Sequence, residues 1–332
     1  MSPDSLGAPR FRGDGSAHAK IVLAGEHTVV HGTSAVAAPI PGLRVHARAR
    51  SLASPAASPP DPPDTEPTVL TTRLLLDDRA PGRCAMPNIV AAVRATALSQ
   101  HPLDAPIEVE VRSAIPPARG LGFSAACAAA VVTAVANLRS RVMDPDELYA
   151  AVQTGEQIAH GRASGIDART VLSATPIRFT RGAVEPLRLG AALPLVIADS
   201  GTPAGTREAV DRVQAVLSAD ARRACRLLAQ ANELIATIID DLADGRVAGV
   251  GAAFLRCHRL LADLGVSTPA LDRLVDAAMG AGALGAKLTG GGLGGCVIVV
   301  ADPDPEGVRR IRDRLHAAGA VWTVATVVGS ES

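Results

Sequence analysis

Aromatic side chains are nearly missing from this chain: phenylalanine, tyrosine and tryptophan together make up 2% of its 332 residues. That scarcity argues against a base-stacking nucleic-acid module, which needs aromatic platforms. Net charge is also missing, with 33 basic residues balanced by 33 acidic ones. Bulk electrostatics therefore point to neither a phosphate backbone nor a membrane surface as partner. No apolar run reaches the 18 residues that a spanning helix needs, and the opening Met-Ser-Pro-Asp does not read as a signal peptide. Cysteines are few and dispersed (Cys84, Cys127, Cys225, Cys257 and Cys296), with no Cys-x-x-Cys pair. An odd, scattered set reads as reduced thiols. The expectation is a cytoplasmic protein without a membrane anchor, whose core is filled by alanine and valine.

At this length the chain can form two domains. Residues 1–17 are polar and interrupted by Gly and Pro, and read as a mobile tail. Residues 51–68 are too proline-rich to pair in a ladder and read as a loop. Strands are expected at the apolar ends of Lys20–Gly32, at 43–50, 69–76, 107–112 and 193–200, and from Cys296 to Ala301. Helices are expected over 87–98, from the glycine turn near residue 122 to Leu138, and from Pro145 to about His160, the last opened by a capping box at Asp144-Pro-Asp-Glu147. Further helices are expected from about Arg207, Asp220, Val247 and Pro269, with Thr268 capping the last. A second domain is expected to begin near residue 191.

Three stretches carry chemistry. In Lys20-Ile-Val-Leu-Ala-Gly-Glu-His-Thr-Val-Val-His-Gly32, four groups (Lys20, Glu26, His27, His31) interrupt an apolar run, and charges among buried strands need partners or a ligand. The second, Ile115-Pro-Pro-Ala-Arg-Gly-Leu-Gly-Phe-Ser-Ala-Ala126, lies between a predicted strand and a predicted helix. In that order, free backbone N–H groups and a helix dipole meet an anion. The bland alternative is a glycine turn that only packs a helix on a sheet. The third, Lys287-Leu-Thr-Gly-Gly-Gly-Leu-Gly-Gly-Cys296, contains Gly290, Gly292 and Gly295 in Gly-x-Gly-x-x-Gly spacing. It precedes a strand instead of following one, so it is not a dinucleotide fingerprint. The second stretch lacks the acidic residue that a dinucleotide site needs about 20 positions on, and no Walker-type loop occurs. Between the second and third stretches, Glu156 shares a helix face with Leu148 and Val152, and a carboxylate on an apolar stripe is either paired or functional. Asp167, in His160-Gly-Arg-Ala-Ser-Gly-Ile-Asp, taken alone reads as a turn or cap residue.

These blocks, in this order, resemble the GHMP kinase superfamily, and the spacing of Glu156 and Asp167 is most similar to its mevalonate kinase branch. The likeness covers roughly residues 18–328. It implies an α+β fold of two domains: an N-terminal S5-like domain over residues 18–190 and a C-terminal ferredoxin-like domain over 191–332, with the active site in the cleft between them. It also implies transfer of the ATP γ-phosphate to the primary hydroxyl of mevalonate, or of a similar small hydroxy acid or alcohol; a nucleotide-binding homologue without turnover is the contrasting expectation. By the resemblance, Pro116, Arg119, Gly120, Leu121, Gly122, Phe123, Ser124, Ala125 and Ala126 hold ATP. Ser124 and Glu156 bind Mg2+, and Asp167 and Lys20 are catalytic. Glu26, His27, Thr206 and Gly291 hold the acceptor, and a homodimer is common. One departure stands out: the family loop usually reads Gly-Leu-Gly-Ser-Ser-Ala-Ala, and Phe123 occupies the place of the first serine. The expectation is an active kinase in which this ring bears on nucleotide affinity or acceptor choice.

Overall fold

The computed structural model describes residues 12–52, 68–76, 87–95, 106–161 and 163–329. Cys84 and most of the proline-rich stretch lie outside them. Two compact units interleave along the chain. One holds the chain up to Ala19, Leu43–Pro116 and Phe123–Ala163; the other holds Lys20–Gly42, Pro117–Gly122 and everything from Ser164 onward. Sheets and helices alternate within both, giving the α+β class expected from sequence. Among the described residues no helix is long and apolar enough to cross a membrane.

Two long strands thread both units, β1 (Arg12–Ala24) and β2 (Ala35–Ser51), and they pair with each other. In the first unit, residues 45–51 of β2 pair antiparallel with β4 (Ile107–Ser113), which pairs in turn with β3 (Leu70–Leu76). In the second, residues 35–37 of β2 pair with β5 (Ile177–Thr180), which pairs with β6 (Ala183–Pro186). Pro39 and Pro41, which cannot donate to a ladder, fall between the two paired stretches of β2.

The first unit is completed by α1 (Pro87–Arg94), α2 (Phe123–Leu138) and α3 (Pro145–His160), each packed on the other two. Eleven of the sixteen α2 residues are buried, alanine and valine on every side, as expected of a helix wrapped all round. This explains a departure from the tail expected over residues 1–17: the strand begins at Arg12. A side chain at Gly13 would lie 2.1 Å from the Ala134 carbonyl, and one at Gly15 would lie 2.1 Å from the Ala130 carbonyl. Glycine thus reads as flexible in sequence and serves as close packing in space. At the start of α3, Asp144 caps Asp146 and Glu147 as expected. The reciprocal half of the capping box is replaced by Arg141, whose guanidinium grips both Glu147 oxygens at 2.9 and 2.7 Å.

The second unit contains a four-stranded antiparallel sheet in the order β10 (Trp322–Val328), β7 (Leu193–Asp199), β9 (Cys296–Val300), β8 (Gly285–Thr289). Its helices are α4 (Ile166–Val171), α5 (Thr206–Ala219), α6 (Ala221–Ala243), α7 (Val247–Asp263), α8 (Pro269–Gly280) and α9 (Pro305–Ala317). Asp220 caps α6 and Thr268 caps α8. In the ladder, Asp199 and Thr289 both stand opposite Cys296, so the third glycine stretch joins β8 to β9 beside the end of β7.

Candidate active site

β1 delivers Lys20 into the interior of the second unit, where the residue is 2% exposed. Its backbone N–H donates to the Leu121 carbonyl at 3.0 Å. Its ammonium lies 2.8 Å from Oδ1 of Asp167, which sits in the first turn of α4. A charge this desolvated requires a counter-charge, and Asp167 supplies it while remaining about one-third exposed. Two predicted residues 147 positions apart are therefore one ion pair with a solvent-facing carboxylate.

The glycine turn abuts this pair. Gly120 and Gly122 have φ of +77° and +76°, a region that side chains with a Cβ rarely enter. A Cβ at Gly122 would lie 2.8 Å from Cγ of Lys20, and one at Gly120 would lie 3.1 Å from the Thr289 carbonyl. The turn is held from the β8–β9 loop as well: a Cβ at Gly290 would lie 2.8 Å from Cα of Gly120. Arg119 donates through Nε to Asp199 at 2.6 Å, which aims its guanidinium at the end of β7. Leu121 is buried and Pro116 half-buried.

One residue beyond Gly122, α2 begins. The N–H groups of its first turn (Phe123, Ser124, Ala125, Ala126) have no intrahelical acceptor and suit an anion. Ala125 and Ala126 are fully buried, while Phe123 and Ser124 are half-buried. Ser124 Oγ accepts a 3.0 Å hydrogen bond from Nδ2 of Asn88 on α1. On α3, Glu156 is 3% exposed. Burial, with the Glu156 charge added, pushes the Cys127 thiol on α2 up to about 12. Ser124 and Glu156 stand on helices that pack together and offer a hydroxyl and a carboxylate, oxygen donors of the kind Mg2+ takes while leaving its other positions to water and phosphate.

The first stretch turns sharply after β1. Gly25 has φ +91°, and any Cβ there would lie 2.5 Å from the Ser34 carbonyl. His27 has φ +61° without being glycine. Residues Thr28–His31 form a 3-10 turn, not the strand expected from Val29 and Val30, because Gly25 and Gly32 reverse the chain at both ends. His27 donates through Nε2 to the Gly291 carbonyl at 3.0 Å, leaving Nδ1 as the acceptor of the neutral ring. Loss of water around the ring lowers its pKa to about 4, so it is neutral near pH 7. Gly291 in turn admits Thr206 at the start of α5, whose Oγ1 would be 2.6 Å from a Cβ at that position. His27, Gly291 and Thr206 thus form one cluster. Glu26 points elsewhere: it is 6% exposed and its carboxylate is ion-paired to Lys287 of β8. Burial raises its pKa, and Lys287 opposes that shift.

Asn88 and Asp199 lie outside the three stretches, and Lys287 and Thr289 lie inside the third without a role read from it. Lys287 and Asp199 do carry a signal, a single charge in the middle of one apolar strand and at the end of another, but their partners lie 261 and 80 residues away.

Residues 88–173 match the family model described as GHMP kinases N terminal domain, and residues 238–321 match GHMP kinases C terminal. Mevalonate kinase of Aeropyrum pernix is 30% identical over 85% of this chain and 86% of its own length. That of Thermococcus gammatolerans is 32% identical over 94% of this chain and 95% of its own. Among solved structures, L. major mevalonate kinase in complex with R-mevalonate superposes with a TM-score of 0.79 at 22% identity, covering 96% of this chain and 97% of that one. Mevalonate kinase of Staphylococcus aureus MRSA252 does so with a TM-score of 0.69 at 27% identity, covering 96% and 99%.

Proposed function

The chain belongs to the GHMP kinase family and is a phosphotransferase, and from that premise we propose that it transfers the γ-phosphate of ATP to the primary hydroxyl of mevalonate. The observation that carries this reading is the pairing of buried Lys20 with Asp167, whose carboxylate stays about one-third exposed beside a glycine turn. In-line transfer asks mainly for positioning and charge neutralisation. Asp167 Oδ accepts the proton of the attacking hydroxyl as the new O–P bond forms and the bond to the β-bridging oxygen breaks, releasing ADP. Held 2.8 Å from the Lys20 ammonium, this carboxylate also fixes the direction from which the hydroxyl attacks. Lys20 balances the negative charge that gathers on the transferring group. Gly120–Ala126 offer backbone N–H groups to the nucleotide phosphates. Ser124 and Glu156 would hold Mg2+, which when bound neutralises phosphate charge. Neutral His27 accepts through Nδ1 from an acceptor hydroxyl, with Thr206 beside it; the likeness to mevalonate kinases supports mevalonate as that acceptor.

The test is ADP release by the purified protein with Mg-ATP, with and without mevalonate. Mevalonate-dependent release supports the reading. Release only with another alcohol from a small panel keeps the kinase and replaces the substrate, an outcome favoured by the one departure in the phosphate loop, Phe123 at the first position of α2. Silence across the panel with ATP still bound refutes turnover. Phe123→Ser separates the roles of the ring: a rise in rate with the same acceptor assigns it to nucleotide handling, and a change of preferred acceptor assigns it to specificity.

A further inference from the structure

Lys287 is the largest charged side chain among the fully buried residues, with no exposed surface, and the proposed phosphoryl transfer makes no use of it. Its ammonium donates to the Glu26 carboxylate and, at 3.2 Å, to the Val22 carbonyl, and it lies 5.6 Å from the centre of the Phe254 ring. Two residues along β8 on the same face, Thr289 Oγ1 donates to the Val22 carbonyl and accepts from the Val22 N–H, both at 3.0 Å. Four residues beyond Lys287, Gly291 takes the hydrogen bond of His27. One strand and its loop therefore grip the end of β1 and the turn after it at three successive points: Val22, Glu26 and His27.

Stability does not account for such a pair. Desolvating two charges is costly, and a buried ion pair replaced by apolar groups of like volume often leaves a protein no less stable. What the pair does uniquely is fix where Glu26 points. The turn in which His27 stands at φ +61° is otherwise held by its own backbone bonds, Thr28 N–H to the Glu26 carbonyl at 2.7 Å and Val29 N–H to the Gly25 carbonyl at 3.1 Å, and by the His27–Gly291 bond; the ion pair adds a buried charged tie from the turn to β8.

We propose that Lys287 is a positioning residue for the acceptor site: by holding Glu26 inward, it fixes the Gly25–His27 turn so that the His27 imidazole, and not Glu26, meets the acceptor. This rests on the reading of His27 as an acceptor contact. The charged and titratable groups around the network are Lys20 near Glu26, Cys257 and His258 near Lys287, and His31 near His27.

The test uses the double variant Glu26→Gln with Lys287→Met, which removes both charges at nearly constant volume, together with Lys287→Arg, which keeps the cation. In the folded double variant, His27 followed by imidazole NMR should titrate at least one unit above the wild-type value of about 4, as the released turn rehydrates. The acceptor KM should rise by about tenfold or more while the ATP KM stays within about twofold, as expected when a substrate-holding side chain is misplaced. Lys287→Arg should keep His27 at its wild-type titration. Either the His27 titration or the acceptor KM remaining at its wild-type value in the folded double variant overturns the assignment. If the wild type fails to turn over mevalonate, the proposed function fails, yet the His27 titration still decides whether Lys287 sets the turn.

Discussion

Replacing Gly122 by alanine tests whether the glycine turn exists to accommodate Lys20. The new Cβ would stand 2.8 Å from Lys20 Cγ and 3.2 Å from Val171 Cγ1, on a backbone at φ +76°. Left-handed backbone with a Cβ costs roughly 1–2 kcal/mol. Overpacking a closed site adds about 1–3 kcal/mol. Gly182, in the β5–β6 turn, supplies the control: its φ is +90°, and nothing lies within 4 Å of a Cβ there. Gly182→Ala should therefore lose about 1–2 kcal/mol in denaturant unfolding and keep its turnover. Gly122→Ala should lose on the order of 2–5 kcal/mol, the sum of both effects. Relief of the contact must come from Lys20, whose Nζ is tied to Asp167, so kcat should fall about 100-fold if the ammonium shifts by 1 Å. The assays are equilibrium unfolding and steady-state ADP release on both variants. A Gly122→Ala protein that matches Gly182→Ala in stability and the wild type in kcat would refute the link between the turn and Lys20.

Asp167→Asn should lower kcat by roughly 100- to 10,000-fold, the range for a lost proton acceptor, while ATP still binds by calorimetry; unchanged turnover would remove Asp167 from the mechanism. Cys127 and Cys257, whose thiols burial lifts to about 12, should resist iodoacetamide at pH 8, whereas the exposed Cys225 labels readily; peptide mapping that finds Cys127 alkylated as fast as Cys225 would contradict this burial. His27 also sets an acid limit. Its pKa is lowered by folding from the ordinary 6.5 to about 4, so the unfolded chain binds a proton first as pH falls. The stability it withholds grows from zero above pH 7 to at most about 3 kcal/mol near pH 4. Unfolding curves across that window should flatten in a His27→Asn variant, and an unchanged slope would count against a buried neutral ring.

Much of the proposed site was legible because a loop suited to phosphate leaves local marks in sequence. Glycines at fixed offsets, a serine one step into a helix, and a lysine inside an apolar strand are each visible within a dozen residues. The Lys20–Asp167 contact was legible for a different reason: a buried ammonium demands a carboxylate, and the resemblance named which one. Lys287 posed the same demand and went unanswered, because Glu26 already had a role assigned by likeness and its partner is 261 residues away. Local periodicity also misread two segments in which glycine dominates. The run around Val29 and Val30 looks like strand but turns between Gly25 and Gly32. Residues 12–17 read as part of a tail but belong to a strand whose glycines fit against α2.

The interleaving of the two units bears on how the protein is made. Lys20–Gly42 belongs with residues that begin at Ser164, and its buried carboxylate at Glu26 has its partner on β8. A ribosome adding about 5–20 residues per second takes roughly 13–50 s to cover the 261 residues between Glu26 and Lys287. Throughout that interval the nascent chain carries an apolar strand and an unneutralised acid whose seat has not been synthesised. Vectorial folding from the N-terminus is thereby ruled out for the second unit, and cutting the gene just after Ala163 would leave the first unit whole in one half while dividing the second between the two.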